Sequence, residues 1–148
     1  MNNETTIEFL GPHDRAGWEV LARGYKVFYQ TPTSDDEFDT TWKRLIEQDS
    51  ILGLGATLNG ELVGIAHFLF HTTVWAPRFC YLQDLFTAPD VRGRGVARAL
   101  IEAVASHARE GGADRFYWQT KEDNAVARAL YEKVAQYNGF IRYDYPIA

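Results

Sequence analysis

Apolar and polar residues alternate from Thr5 to Leu10, the period of a short strand with one face buried. Beyond Gly11-Pro12 the period changes: over residues 14–29, Trp18, Leu21, Ala22 and Tyr25 fall on one helical face. Thr31-Pro32 breaks that run. Ser34 followed three residues later by Glu37 is a capping-box pattern and opens a second helix carrying Phe38, Thr41, Trp42 and Leu45. Residues 51–58 and 61–70 then read as two strands joined by Asn59-Gly60, the strongest short hairpin signal. A loop with Trp75-Ala76-Pro77 leads to a strand over 79–87. A glycine-rich turn follows, then a helix over 95–109 that is apolar at Val96, Leu100, Ala103, Val104 and His107. Gly111-Gly112 ends it. Residues 115–120 read as a strand, 124–136 as a helix and 139–145 as a last strand.

Helices placed between the later strands imply crossovers, so the fold class is α/β (α+β), a mixed and mostly antiparallel central sheet flanked by helices. No repeat, low-complexity tract or linker interrupts the chain, and 148 residues can bury one core, so residues 1–148 are expected to form a single domain.

Charge and cysteine content narrow the function classes. Fifteen basic against twenty acidic side chains give a net charge of -5, which argues against a nucleic-acid or anionic-membrane partner. Every apolar run falls well short of the ~20 residues of a spanning helix. The first residues lack the basic start and apolar stretch of a signal peptide, and Cys80 has no second cysteine to pair with, so a cytoplasmic location is expected. Asp35, Asp36, Glu37 and Asp39 are either a solvated helix start, favoured by the helix dipole, or a patch that attracts a cationic substrate. His67 and His71 could share a strand face, but no third ligand is evident and no metal is expected. Cys80 reads as buried packing rather than as a nucleophile.

The sharpest chemical signal is Asp90-Val91-Arg92-Gly93-Arg94-Gly95-Val96-Ala97, where a strand feeds two glycines and a long helix. A helix start has unpaired N–H groups and a positive dipole end, and glycines let an anion approach that backbone. Arg92, Arg94 and Arg98 add charge. There is no P-loop lysine and no third glycine of a dinucleotide fingerprint. The segment is either a pyrophosphate site or a tight strand-to-helix turn with solvated arginines.

Arg92-x-x-Gly95-x-Ala97 resembles the coenzyme A pyrophosphate motif of the GNAT acetyltransferase superfamily. Tyr81 to Pro89 before it looks like that family's fourth strand. Asn124-x-x-Ala127-x-x-Leu130-Tyr131 and Gly139-Phe140 after it are similar to the family's second cofactor helix and final strands. The first half of the chain matches in element order only. The resemblance implies a GNAT fold and transfer of acetyl from acetyl-CoA to a primary amine by direct attack in a ternary complex. It implies that main-chain groups of Leu85, Phe86 and Thr87 pair with the pantetheine arm. The amides of Gly93, Arg94, Gly95, Val96, Ala97 and Arg98, with Arg92, would hold the pyrophosphate. Asn124, Ala127 and Arg128 would lie along the cofactor, and Tyr131 would protonate the departing thiolate. A different acyl-CoA donor, or a coenzyme A-binding regulatory protein without turnover, are the alternatives.

Tyr81-Leu82-x-Asp84-Leu85-Phe86 is most similar to the diamine (spermidine/spermine) acetyltransferase-like branch, which generally carries glutamate where this chain has Gln83. Gln83 can hydrogen-bond but cannot act as a base. Strand alternation points the Asp84 carboxylate to the opposite face from Gln83. Among aromatic residues that could line an acceptor pocket (Tyr25, Phe28, Tyr29, Trp75, Trp118), family position favours Tyr29 and Trp118. The substrate-side set is thus Tyr29, Gln83, Asp84 and Trp118, for a small amine or a protein lysine as acceptor. The resemblance and the aromatic-rich tail from Phe140 to Tyr145 imply a homodimer.

Overall fold

The computed structural model describes residues 4–147. Residues 1–3, at the head of the stretch read above for a leader, and residue 148 lie outside the described residues. The elements are β1 (Thr6–Phe9), a 3-10 turn (Pro12–Asp14), α1 (Arg15–Phe28), α2 (Asp35–Glu47), β2 (Leu52–Leu58), β3 (Glu61–His71) and β4 (Phe79–Thr87). A second 3-10 turn (Pro89–Val91), α3 (Val96–Glu110), β5 (Phe116–Tyr117) and α4 (Ala125–Val134) follow. The five strands form one sheet in the order β1-β2-β3-β4-β5, antiparallel throughout except for the parallel β4/β5 pair. This is the mixed, mostly antiparallel sheet with flanking helices that the pattern predicts.

The local signals that placed these elements act as read. Ser34 Oγ accepts the Glu37 N–H at 3.2 Å and Glu37 Oε2 accepts the Ser34 N–H at 3.2 Å, closing the capping box at the start of α2. Asn59 and Gly60 have φ of 53° and 80°, the positive values that a two-residue hairpin turn requires.

Each face of the sheet carries its own core. On one side α3 packs Val96, Leu100, Ile101, Val104 and Ala108 onto Leu54, Ala66, Phe68, Cys80 and Leu82, with Leu130 and Tyr131 of α4 at the margin. His107, predicted on this face of α3, stacks on Phe68 at 5.8 Å. Gly64 permits the contact, because a Cβ there would sit 3.0 Å from both Val96 and Leu100. On the other side α1 and α2 pack Trp18, Leu21, Ala22, Phe38 and Leu45 onto Leu10 and Ile65.

Register across β3/β4 slips by one residue. His67 faces Asp84 while Phe68 faces Leu82, so Gln83 is an extra residue, a β-bulge. Cys80 and Leu82 therefore point to the α3 side, but after the bulge Leu85 takes that side and Asp84 and Phe86 turn toward α1.

The end of the chain departs from the expectation. The strand expected over 115–120 is only two residues long, α4 stops at Val134, and the last strand expected over 139–145 does not form. A strand needs a neighbouring ladder for its N–H and C=O groups, and β5 offers an edge of two residues. Phe140, Ile141, Tyr143, Tyr145 and Ile147 are left 70–95% exposed.

Candidate active site

Two glycines shape the loop ahead of α3. Gly93 and Gly95 have φ of +84° and +80°, the left-handed region that disfavours side chains, and a Cβ at either would meet nothing within 4 Å. The backbone is thus bare and faces open space. Gly95 is the N-cap of α3, and no side chain caps it. The first backbone bond of the helix runs from Ala99 N–H to the Gly95 carbonyl, which leaves the amides of Val96, Ala97 and Arg98 directed out of the helix end. Arg92, Arg94 and Arg98 are exposed around them, and the Arg92 guanidinium lies 5.8 Å from the Phe86 ring. Free amides, a positive dipole end, arginines and room above the glycines fit a pyrophosphate group.

Beside this loop, β4 and β5 pair only at Cys80↔Phe116 and Tyr81↔Tyr117, although β4 runs on to Thr87. From Leu82 onward that edge of β4 has no strand partner among the described residues. The main-chain groups of Leu85, Phe86 and Thr87 therefore meet β3 on one side and a gap on the other.

The helix α4 packs at the margin of the α3-side core. Asn124 caps it, its Oδ1 accepting the Ala127 N–H at 3.3 Å and its Nδ2 donating to Thr120 Oγ1 at 3.3 Å. Arg128 is engaged locally, with the Glu122 carbonyl at 2.8 Å and Glu132 at 3.2 Å. These side chains organise the helix start, and partly buried Ala127 lies one turn in. Tyr131 packs edge-on against Trp118 at 5.5 Å. Burial, helped by nearby Tyr29, pushes the Tyr131 phenol up to about 12.

The second opening is a cavity of about 470 Å³ between α1, α2 and the sheet. Trp18, Ala22, Tyr25 and Lys26 line it from α1, Asp36, Glu37, Phe38 and Arg44 from α2, and Ile65, His67, Gln83 and Asp84 from the sheet. The strand alternation that put Asp84 opposite Gln83 does not hold here. The bulge resets the period, and both residues line the same cavity. Trp118 belongs to the α3 side instead, among Phe116 and Tyr131, and not to the cavity wall. Trp75 is 96% exposed and lines nothing. Tyr29, at the end of α1, stacks on Tyr25 at 4.7 Å and is close enough to both Asp84 and Tyr131 to bear on their charge.

The acidic run at the start of α2 divides. Asp35 and Asp39 pair with Arg23 and Arg15 of α1, each at 2.6 Å, while Asp36 and Glu37 reach the cavity.

Asp84 sits in a hydrogen-bonded chain that sequence reasoning missed. Trp18 Nε1–H donates to His67 Nε2 at 3.0 Å, and His67 Nδ1 lies 2.9 Å from Asp84 Oδ2. The Tyr25 hydroxyl is close enough to bear on the same carboxylate. Burial alone would push the Asp84 carboxyl up. Its interaction with His67, with smaller contributions from Tyr25 and Lys26, outweighs it and holds the carboxyl below its ordinary value. No motif marks this chain, because it depends on register between β3 and β4. His71 goes its own way, with Tyr117 Oη at 2.8 Å. Among the described residues no three His, Cys, Asp or Glu side chains converge as a metal would require, and no helix is long and apolar enough to cross a membrane. Burial pushes the Cys80 thiol up to about 11, away from the thiolate a nucleophile needs.

Known proteins resemble this chain in sequence and in fold. The model of the acetyltransferase (GNAT) family matches residues 18–136. The D-amino-acid N-acetyltransferase HPA3 of Saccharomyces cerevisiae is 34% identical over 139 residues, 91% of this chain and 86% of that protein. A thialysine N-epsilon-acetyltransferase of Sus scrofa is 31% identical over 117 residues, 79% of this chain and 69% of that one. In fold the chain is similar to the aminoglycoside N-acetyltransferase AAC(6')-Iy solved in complex with CoA, with a TM-score of 0.88 at 16% identity, covering 100% of this chain and 98% of that one. With the family model spanning the glycine loop, both openings and α4, the chain belongs to the GNAT acetyltransferase family and is an acetyl-CoA-dependent N-acetyltransferase of amine substrates.

Proposed function

We propose that the acceptor is a small, amino-acid-like primary amine, bound in the cavity between α1, α2 and the β4 bulge. The observation that carries this reading is the mixed charge of that cavity. Asp84 and Gln83 sit at its sheet end, with Lys26 and Arg44 on the helices. Such a wall suits a molecule with an ammonium at one end and a carboxylate at the other. Two relatives named for amino-acid acceptors, D-amino acids and thialysine, support the same class.

Acetyl-CoA supplies the activated acetyl group. Gly93 to Arg98 offer main-chain donors, with Arg92, Arg94 and Arg98, to its pyrophosphate. The open edge of β4 at Leu85, Phe86 and Thr87 offers main-chain partners to the pantetheine arm, and Ala127 lies on the far wall with Asn124 and Arg128 organising the helix there. The amine nitrogen attacks the thioester carbonyl, the C–S bond breaks, Tyr131 Oη gives its proton to the departing sulfur, and the proton the nitrogen loses in becoming an amide restores the phenol. An alkylammonium with a pKa of about 10.4 is roughly one part in a thousand neutral near pH 7.4, so it must shed a proton first. Gln83 cannot take that proton and Asp84 is held too acidic to be a strong base. The proton leaves through the cavity mouth to solvent, and the two residues orient the amine.

The exposed tail supports a further part of the reading, that the protein works as a homodimer in which residues 139–147 pair with a second copy. A chain shortened to residue 138 is then monomeric by sedimentation while the intact chain at micromolar concentration is dimeric. An intact monomer removes the dimer.

Assay of thialysine, D- and L-amino acids and the aminoglycoside sisomicin tests the acceptor class: amino acids are acetylated faster, and acetylation of sisomicin alone overturns the reading. Gly95→Glu places bulk and negative charge in the anion site, and calorimetry should detect no CoA binding. Gly95→Ala, which carries only the strain of a positive φ, keeps measurable affinity. Tyr131→Phe lowers kcat by roughly ten- to a thousandfold with little change in CoA affinity, the range positioned acids supply. Because burial raises the Tyr131 phenol, it stays protonated as pH rises. Turnover should therefore show no loss from its ionisation up to pH about 10, where an ordinary tyrosine titrates.

A further inference from the structure

The mechanism above uses Asp84 and leaves unexplained why a tryptophan and a histidine, 1% and 7% exposed, spend their polar atoms on one another beside it. His67 Nε2 accepts the Trp18 indole N–H. An indole nitrogen can only donate, so Nε2 must present its lone pair and cannot carry a proton. In the neutral ring the proton then belongs on Nδ1, where it points at Asp84 Oδ2 2.9 Å away. The imidazolium is excluded by the same bond, because a protonated Nε2 would face the indole proton in a buried site. The roles along the chain are thus fixed in one direction, indole to imidazole to carboxylate.

The frame around this chain is rigid. Trp18 is wedged between Trp42, with ring centroids 5.1 Å apart, and Phe38 at 6.3 Å. His67 and Asp84 are directly opposed residues of β3 and β4, brought onto one face by the Gln83 bulge. Tyr25 of α1 also bears on the carboxylate. The carboxylate borders the cavity that holds the acceptor in the reading above.

We propose that Trp18 and His67 are positioning residues, which hold His67 as the neutral Nδ1–H tautomer and thereby fix the Asp84 carboxylate in the orientation that receives the acceptor's amine. This rests on the proposal that the acceptor occupies the cavity at Asp84. It assigns to His67 no proton transfer and no metal. The residue determines how the amine is aimed and not how fast a proton moves. A carboxylate free to rotate would bind the ammonium in several poses, only some of which present the nitrogen to the thioester.

Two measurements test this on the intact protein. Nitrogen-15 NMR of the unmodified chain at pH 7.5 should find His67 with Nδ1 protonated and Nε2 bare. An Nε2–H tautomer or an imidazolium overturns the proposal, and this arm needs no acceptor and no variant. Kinetics with whichever of thialysine or the D-amino acids is acetylated fastest supplies the second. His67→Leu should lower kcat/KM for the acceptor about ten- to a hundredfold, as loss of a hydrogen bond to a charged group does, while the KM for acetyl-CoA stays put. His67→Asn, whose amide can replace the Nδ1–H donor, should recover most of the loss. Trp18→Phe, which releases the tautomer but keeps a ring in the core, should show a smaller defect of the same kind and stands in if His67→Leu does not fold. A folded His67→Leu with unchanged acceptor kinetics, or no rescue by asparagine, refutes the positioning role. Asp84→Asn in the same assay separates the two levels. If it leaves kcat/KM unchanged, the acceptor reading falls and the inference with it. If it impairs catalysis and His67→Leu does not, only the inference falls.

Discussion

A strand with a strict period of two cannot put adjacent side chains on one side of a sheet, yet Gln83 and Asp84 both line the cavity between α1, α2 and the sheet. One extra residue in β4 makes this possible. Before the bulge Cys80 and Leu82 feed the core under α3, and after it Leu85 resumes that duty while Asp84 and Phe86 turn to α1. Without the insertion Asp84 would face α3 among Val104 and Leu100, a carboxylate in an apolar core that would cost several kcal/mol. The site and the fold therefore depend on the same slip of register. Bulges are disruptions of the ladder, and this one falls where β4 also loses its β5 partner, so the sheet is locally open on both counts.

The helices over the cavity are held by two kinds of interaction with different purposes. Arg15 bridges Glu19 and Asp39, and Arg23 bridges Glu19 and Asp35, tying α1 to the start of α2 along the surface. Exposed pairs of this kind contribute little to stability. The buried Trp18–His67 bond is different. Its removal leaves a buried polar atom unpaired, at about 1–3 kcal/mol, so it fixes α1 to β3 in one orientation. The first set lies outside the cavity wall, and Trp18 and His67 of the second are part of it.

Local signals were legible in the sequence wherever a short stretch decides its own geometry. The capping box at Ser34, the Asn59-Gly60 turn and the glycines ahead of α3 all act over three or four residues, and each lies where the pattern places it. What sequence could not show depends on pairing between distant segments. The face of Asp84 was misread because alternation assumes an unbroken ladder. The Trp18–His67 bond spans 49 residues and leaves no trace in either neighbourhood. Trp18 and His67 each look like ordinary core residues. The missing last strand has the same origin: aromatic alternation states a capacity to pair, and whether an edge is available is a property of the sheet.

Gly24 lies in the interior of α1, where glycine costs a helix about 1 kcal/mol relative to alanine. The packing explains its presence. A Cβ at that position would lie 3.0 Å from two carbons of the Phe86 ring, tighter than nearly all real contacts. Phe86 in turn stands under the Arg92 guanidinium and at the open edge of β4. The helix thus gives up intrinsic stability so that the ring can seat against its backbone. For sequence tolerance the outcome is an inversion: alanine at 24, a gain for an isolated helix, would press from the α1 side on β4 where its edge is open.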